Sequence, residues 1–477
     1  MVVPVIILLF AAVLLIRTLA AKGRPLGEER HWVSEQQAEA YAHQLSKMLA
    51  CETVSRKDSY EDAEFAKLRA VMAELFPLVH SRCEKMTFGE DCWVFRLPGE
   101  DPGRNVMLMS HHDVVAAEGV WKYPPFSGTV AEGKIWGRGA VDTKTPLFAE
   151  FAALEELLQK GFRPKCSIWI ASSHNEETAG SGIPLANAYF REQGITFELI
   201  LDEGGGVIDP PIGGMVCKKC AMTAIHEKGR HKVKLTASQA MSHTNLTPGK
   251  TLSPTERMAA FITEISRRPG FIRRLNPQVR GMFGALAPYA SFPMKLLFAN
   301  LWCFAPVLTA VLPKLSPQAG GLLGTTVSFR SLACPDSNTC TAAAMLRSVD
   351  DRDFEQDLAR FTKTAEKYGI TVEKTEDWEY HAPADPALPA FSLVERCIAE
   401  IFPDVPVIPF ILPAGTDART LTDVCPCVVR FAPIRLSKEQ LASVHSVDEN
   451  MDITAVGDCV AFYRRVLEQY DDGGNKR

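Results

Sequence analysis

The sequence predicts an α/β fold, and three observations carry that reading. Short runs, Asn105–Ser110, Cys166–Ser172 and Phe197–Asp202, are apolar along nearly their whole length, the pattern of parallel strands covered on both faces. Helix-length stretches separate them. Polar residues with chemical potential, His111, Glu176, Glu177 and Asp202, stand at or just past the end of each run, where open α/β sheets gather their sites.

Taken in order, the chain opens with an uncharged apolar run from Val2 to Ile16 that continues past Arg17 to Ala21. Such a run is long enough to cross a bilayer if Arg17 reaches the interface. A cleaved signal is the rival reading, although no basic segment precedes the run. Arg17, Lys22 and Arg24 all follow it, which as an anchor would keep the remaining chain on the cytoplasmic side; a signal would instead make the chain secreted. Ser34 and Gln37 form a capping box for a first soluble helix, and a second runs through Glu61–Leu75. Cys92–Leu97 and then Asn105–Ser110 read as strands. Gly128–Asp142 reads as a hairpin and loop, after which Thr145 is expected to cap a helix that begins at Pro146 and stops at Gly161. A helix near Pro184–Gln193 separates the strands that deliver Glu177 and Asp202.

From about Glu227 the rhythm changes. His231–Ser238 and Ile370–Trp378 alternate like antiparallel strands, and Ser253-Pro254 starts an amphipathic helix, so this stretch reads as an inserted α+β domain. Within it Leu296–Leu312 is strongly apolar but interrupted by Asn300 and Pro306, and is read as a buried segment or a membrane-leaning surface. The α/β rhythm returns after Asp385 and ends in a helix from Ile453 towards Tyr470. The expected organisation is an anchor or signal over 1–24, a catalytic domain over 25–226 and 380–477, and an insertion over 227–379.

At 477 residues the chain can build two globular units. Its formal net charge of −5 and lack of a long basic run exclude a nucleic-acid surface. The 13 cysteines are scattered and set mostly in apolar runs, which favours reduced, buried thiols over a disulfide framework. Cys217 and Cys220 make a single CxxC without a second half, too little for a structural zinc.

His111 with Asp113, then Asp142, then Glu176 and Glu177 supply nitrogen and oxygen ligands with one carboxylate to spare. That set suits zinc in a hydrolytic site. A lone histidine or Glu-Glu pair is usually structural or solvated; the ordered series past successive strands is what points to a metal. His112 keeps the structural reading, because strand periodicity turns it away from its neighbours.

His111-His112-Asp113-Val114-Val115, Trp121, Pro124-Pro125-Phe126, Gly137-Arg138-Gly139 up to Asp142, Glu176-Glu177, Asp202-Glu203-Gly204-Gly205 and His445 together resemble the M20 metallopeptidases. The apolar Phe298–Phe304 segment and Pro413–Arg419 are similar to the carboxypeptidase S and N-acyl-amino-acid hydrolase branch. The resemblance implies a zinc-peptidase domain with a mixed sheet flanked by helices, and a lid domain of the kind that pairs in homodimers. It implies two Zn²⁺ per chain, with Asp142 bridging, His111 and Asp202 completing one site, and Glu177 and His445 the other. It also implies a cis peptide after Asp142, Asp113 orienting His111, and Glu176 carrying the proton. His243 would stabilise the oxyanion, Arg347 would meet a substrate carboxylate, and the backbone of Gly415, Thr416 and Asp417 would wall the pocket. Where the family has an Asn-x-Leu-Pro turn, this chain is shortened at Ser337–Cys340. The function so implied is hydrolysis of an amide bond beside a free carboxylate, in a short peptide or an N-acyl amino acid. The competing class is a membrane-tethered binding protein on the same scaffold, which loss of Glu176 or of a ligand would have favoured.

Overall fold

The computed structural model describes residues 2–57, 59–239, 252–315, 317–377 and 381–471. In chain order the strands are Glu84–Phe88 (β1), Cys92–Leu97 (β2), Asp101–Met109 (β3), Thr129–Ala131 (β4), Lys134–Trp136 (β5) and Cys166–Ser172 (β6). Leu199–Asp202 (β7), Gly206–Ile208 (β8), Cys220–Glu227 (β9), His231–Ser238 (β10) and Thr326–Asp336 (β11) follow. The last are Thr339–Arg347 (β12), Ile370–Asp377 (β13), Val407–Leu412 (β14), Val428–Arg430 (β15) and Asn450–Asp452 (β16).

The main sheet has the order β1-β2-β6-β3-β7-β15-β9-β14, with β8 paired to β9. It is mixed: β3 runs parallel to β6 and β7, and β7 to β15, whereas β2 is antiparallel to β6. Every residue of β6 and β7 is buried, which explains their unbroken apolar character. Helices Lys144–Gln159, Glu35–Leu49 and Ile453–Asp471 pack with one another over this core. Trp169 of β6 shows how tightly it is filled. Its ring lies edge-on to Phe190 and Phe197, each 5.6 Å away, and its Nε1 donates to Asn105 Oδ1 at 2.9 Å. Truncating such a side chain to alanine costs about 3–5 kcal/mol.

Local signals acted largely as the chain suggests. Ser34 caps its helix by accepting from the Gln37 N–H, and Ser253 and Glu256 complete a reciprocal capping box. Gly161 sits at φ +77° just past Lys144–Gln159, a left-handed position that suits glycine. One expectation is corrected: that helix starts at Lys144, not Pro146, and Thr145 lies inside it. The Thr145 hydroxyl is taken by the Ala140 carbonyl at 2.6 Å, so it is not available to cap.

A second, antiparallel sheet has the order β11-β12-β10-β13, with helices Pro254–Arg267 and Asp351–Lys367 over one face. Burial alternates along β10, as one-sided cover demands. Cys334 and Cys340 form a disulfide across the β11–β12 hairpin, an exception to the expected reduced thiols; the other eleven cysteines are free. The stretch read as an insertion contributes to two apolar clusters. Its segment Leu275–Leu323 joins Met222, Ile408 and Ile411 of β9 and β14 in a separate apolar cluster, covering that edge of the main sheet.

Candidate metal centre

Five loops converge at the carboxyl ends of β3, β6 and β7. The loop after β3 carries His111, 3 % exposed, and Asp113, fully buried. The His111 Nδ1 lies 3.0 Å from the Asp113 carbonyl and 3.3 Å from the Asp113 carboxylate, which leaves Nε2 facing the cleft. The same carboxylate accepts the backbone N–H groups of Glu176 and Glu177, both at 3.2 Å, so Asp113 sets the position of three site residues at once.

Asp142 lies between two histidines. Its Oδ1 is 3.0 Å from His111 Nε2 and its Oδ2 is 3.1 Å from His445 Nε2. Glu177 Oε1 is 3.0 Å from His445 Nε2, and Glu203 Oε1 is 3.6 Å from His111 Nε2. Two ligand groups result, His111 with Asp142 and Glu203, and His445 with Asp142 and Glu177; within each the ligand atoms lie within 4.8 Å of one another. The Asp142-Thr143 peptide is cis.

Asp202, expected as a ligand, belongs to neither of these two groups. It is the last residue of β7, and its Oδ2 accepts the Ala418 N–H at 3.3 Å. Burial pushes its carboxyl up to about 7. The side chains of Thr416 and Asp417 bond internally, so a wall built from these residues would present backbone to the cleft. Thr416 donates to Glu227 at 2.9 Å, and Asp417 accepts from Ser173 at 2.5 Å, so these residues back the site while Gly415 stays half-buried. His112 stacks on Trp93 with centroids 4.0 Å apart, in keeping with a structural role.

The charges are crowded. Burial pushes the Glu176 carboxyl well above the ordinary range, His111 opposes this, and Asp417, Asp113 and Glu177 add to it. Burial raises Glu203 as well, with Asp142 adding. Hydrogen bonds to Asp142 and Glu177 push His445 up to about 10. Carboxylates this close disfavour one another's ionisation unless a cation lies among them. Each group offers one imidazole nitrogen and two carboxylates, with no sulfur, and three protein donors leave a position open for water or substrate; this donor set fits zinc.

Two further residues escaped the sequence reading. Glu449, fully buried, accepts from Arg138 at 2.6 Å and from the N–H groups of Gly139, Val141 and Asp142. Arg138 in turn donates to the Ser446 carbonyl at 2.9 Å, tying the Asp142 and His445 loops together. Arg230, just before β10, feels both Glu376 and Glu176. It belongs to a group of arginines with Arg330, Arg347 and Arg419 around Glu227, and their mutual repulsion, after burial, lowers the Arg347 pKa. Among the described residues the buried Arg347 Nη1 has no hydrogen-bond partner. His243 lies outside the described residues.

Fold and site together define a metallohydrolase of the α/β type. The chain belongs to Peptidase family M20/M25/M40, whose profile matches residues 107–469. It is 28% identical over 410 residues to N-fatty-acyl-amino acid synthase/hydrolase PM20D1 of Xenopus tropicalis, covering 83% of this chain and 79% of that protein. It is also 28% identical over 445 residues to probable carboxypeptidase S-like 2 of Dictyostelium discoideum, covering 90% and 84%. Among solved structures, the M20 family metallo-carboxypeptidase Sso-CP2 from Sulfolobus solfataricus superposes with a TM-score of 0.66 at 15% identity, covering 91% of this chain and 99% of that one.

Proposed function

We propose that this metallohydrolase holds two zinc ions and cleaves an amide bond beside a free carboxylate. The observation that carries the reading is Asp142, whose two oxygens face two separate groups of ligands. His111 and Glu203 would complete one site, Glu177 and His445 the other. Bound there, the ions supply Lewis-acid polarisation of a carbonyl and make water a stronger nucleophile at neutral pH.

The chain's own residues do the rest. Glu176 is held by Asp113 beside both groups but belongs to neither, and its raised pKa suits a proton carrier. It takes the proton that water loses on adding to the carbonyl carbon. It then gives that proton to the nitrogen as the C–N bond breaks, releasing a carboxylic acid and an amine, and the acid's own proton passes to the amine at neutral pH to leave a carboxylate and an ammonium ion. The arginine group supports recognition of the substrate carboxylate, with Arg347 as the guanidinium whose donor is uncommitted. His243 remains the residue assigned to the oxyanion, and 227–379 the lid that carries it.

The relatives' names support two substrate classes, N-fatty-acyl amino acids and peptides with a free C-terminus. We take the fatty-acyl class as the working assignment because of the apolar Leu296–Leu312 segment. Competition between a long-chain N-acyl amino acid and an N-blocked dipeptide tests it. Preferential hydrolysis of the acyl amino acid is expected, and preference for the dipeptide overturns it.

Helix Val2–Ala20, with mean hydropathy 2.7, is assigned as a retained anchor. Thr18 is fully buried against the body of the protein, Arg24 donates to the Pro403 carbonyl at 3.0 Å, and the Gly27 N–H donates to the same carbonyl at 2.9 Å. A leader destined for removal has no need of such contacts.

A further inference from the structure

The anchor helix does not leave the protein on a slack tether. It lies against a bent pair of apolar helices, Phe292–Ala299 and Leu301–Leu315, which turn by 110° at Asn300. Asn300 is fully buried, and its Nδ2 lies 3.1 Å from both the Leu14 carbonyl and the Thr18 hydroxyl, and 2.9 Å from the Leu296 carbonyl. Arg17 Nε donates to the Ala299 carbonyl at 3.4 Å. The bend and the anchor are thus joined by buried polar contacts that apolar surroundings strengthen.

The second helix of the pair is apolar on most of its surface up to Lys314 in its last turn. Leu301, Leu308 and Leu312 face the protein, while Trp302, Pro306, Val307, Ala310 and Val311 are exposed. Those exposed positions follow helical spacing and form one continuous stripe, uncharged as far as Val311 and ending at the exposed Lys314 in the last turn. Trp302 is 51% exposed, Val307 55% and, on the first helix, Phe292 54%. A surface of this kind needs a partner.

The anchor identifies that partner. The Trp302 ring stands edge-on to Phe10, with centroids 5.7 Å apart. Phe10 lies about 15 Å along the helix from Ala20 at a rise of about 1.5 Å per residue, near the middle of a hydrocarbon layer about 30 Å thick. A side chain in contact with the middle of a spanning helix shares its lipid. We propose that Phe292–Leu315 enters the bilayer beside Val2–Ala20, so that the protein is seated by two elements and not hung from one. The inference rests on the anchor assignment above.

The test uses the full chain in phosphatidylcholine vesicles, with acyl chains either plain or brominated near their middle. Vesicle flotation reports the anchor, and the difference in emission between the unaltered protein and Trp302→Phe reports Trp302. The expected result is flotation together with blue-shifted Trp302 emission that brominated lipid quenches at least twofold. Flotation with unquenched Trp302 emission overturns the inference and leaves the anchor standing. Unquenched but shielded emission, with cross-linked pairs of chains, assigns the stripe to a second copy and also overturns it. Failure to float removes both readings.

Discussion

Glu449 holds Asp142 from behind: its Oε1 accepts the Asp142 backbone N–H at 3.1 Å, and the same carboxylate pairs with buried Arg138. Replacing it by glutamine leaves Arg138 buried beside a neutral amide. Removing one member of a buried ion pair commonly costs about 3–5 kcal/mol. Glu449→Gln is therefore expected to lower the stability measured by denaturant unfolding by roughly 3 kcal/mol, and to weaken metal binding about 10–100-fold, the usual effect of losing support behind a ligand. Unchanged metal affinity would detach Glu449 from the site.

The choice between Asp202 and Glu203 is open to a direct count of metal. Glu203→Gln is expected to reduce bound zinc from two ions per chain towards one, because a charged ligand becomes a neutral one. Asp202→Asn keeps both ions, since the Asp202 carboxylate faces the Ala418 N–H. The reverse pattern in elemental analysis would restore Asp202 as the ligand.

Glu176→Gln separates proton transfer from metal binding. Turnover is expected to fall by at least about 10²–10⁴-fold, with both ions retained. Glu177→Gln, by contrast, loosens the ion shared with His445. Zinc lost from Glu176→Gln would mean that the two glutamates exchange roles.

Arg347→Met tests the carboxylate contact. A hydrogen bond to a charged group contributes about 1.5–3 kcal/mol, so KM is expected to rise by about tenfold or more, with a smaller change in kcat. Substrate whose carboxylate is converted to an amide should lose this sensitivity. Equal losses for both substrates would show Arg347 acting on the fold alone.

His243 is tested by mixing two inactive proteins, His243→Ala and Glu176→Gln, as detergent-solubilised full chains under conditions that exchange subunits. If the lid histidine acts across a dimer, each mixed pair contains one complete site and activity returns. Silence in every mixture confines His243 to its own chain.

Much of this arrangement is legible in the chain because the main strands are apolar throughout and their chemistry follows at once. His111, Asp142, Glu177 and His445 come together from four separate motifs. Asp202 and Glu203 mark where that legibility stops. Adjacent residues at a strand end point to opposite sides, and which one faces the cleft depends on where β7 stops, a matter of one residue. Glu449 is hidden for another reason. An acidic residue four positions after a histidine looks like solvated loop until Arg138, far away in sequence, is seen beside it. The Cys334–Cys340 pair is likewise set by β11–β12 register, which thiol spacing alone does not encode.

The ligand groups draw on residues from His111 to His445, and the four-stranded sheet is synthesised in between. His111, Asp142 and Glu203 leave the ribosome well before His445 and Glu449. Until the C-terminal segment arrives, the loop bearing Asp142 lacks the carboxylate that cradles it. One of the two ligand groups has all its protein donors early and the other acquires its last one late, so the direction of translation becomes the order in which the ligands become available.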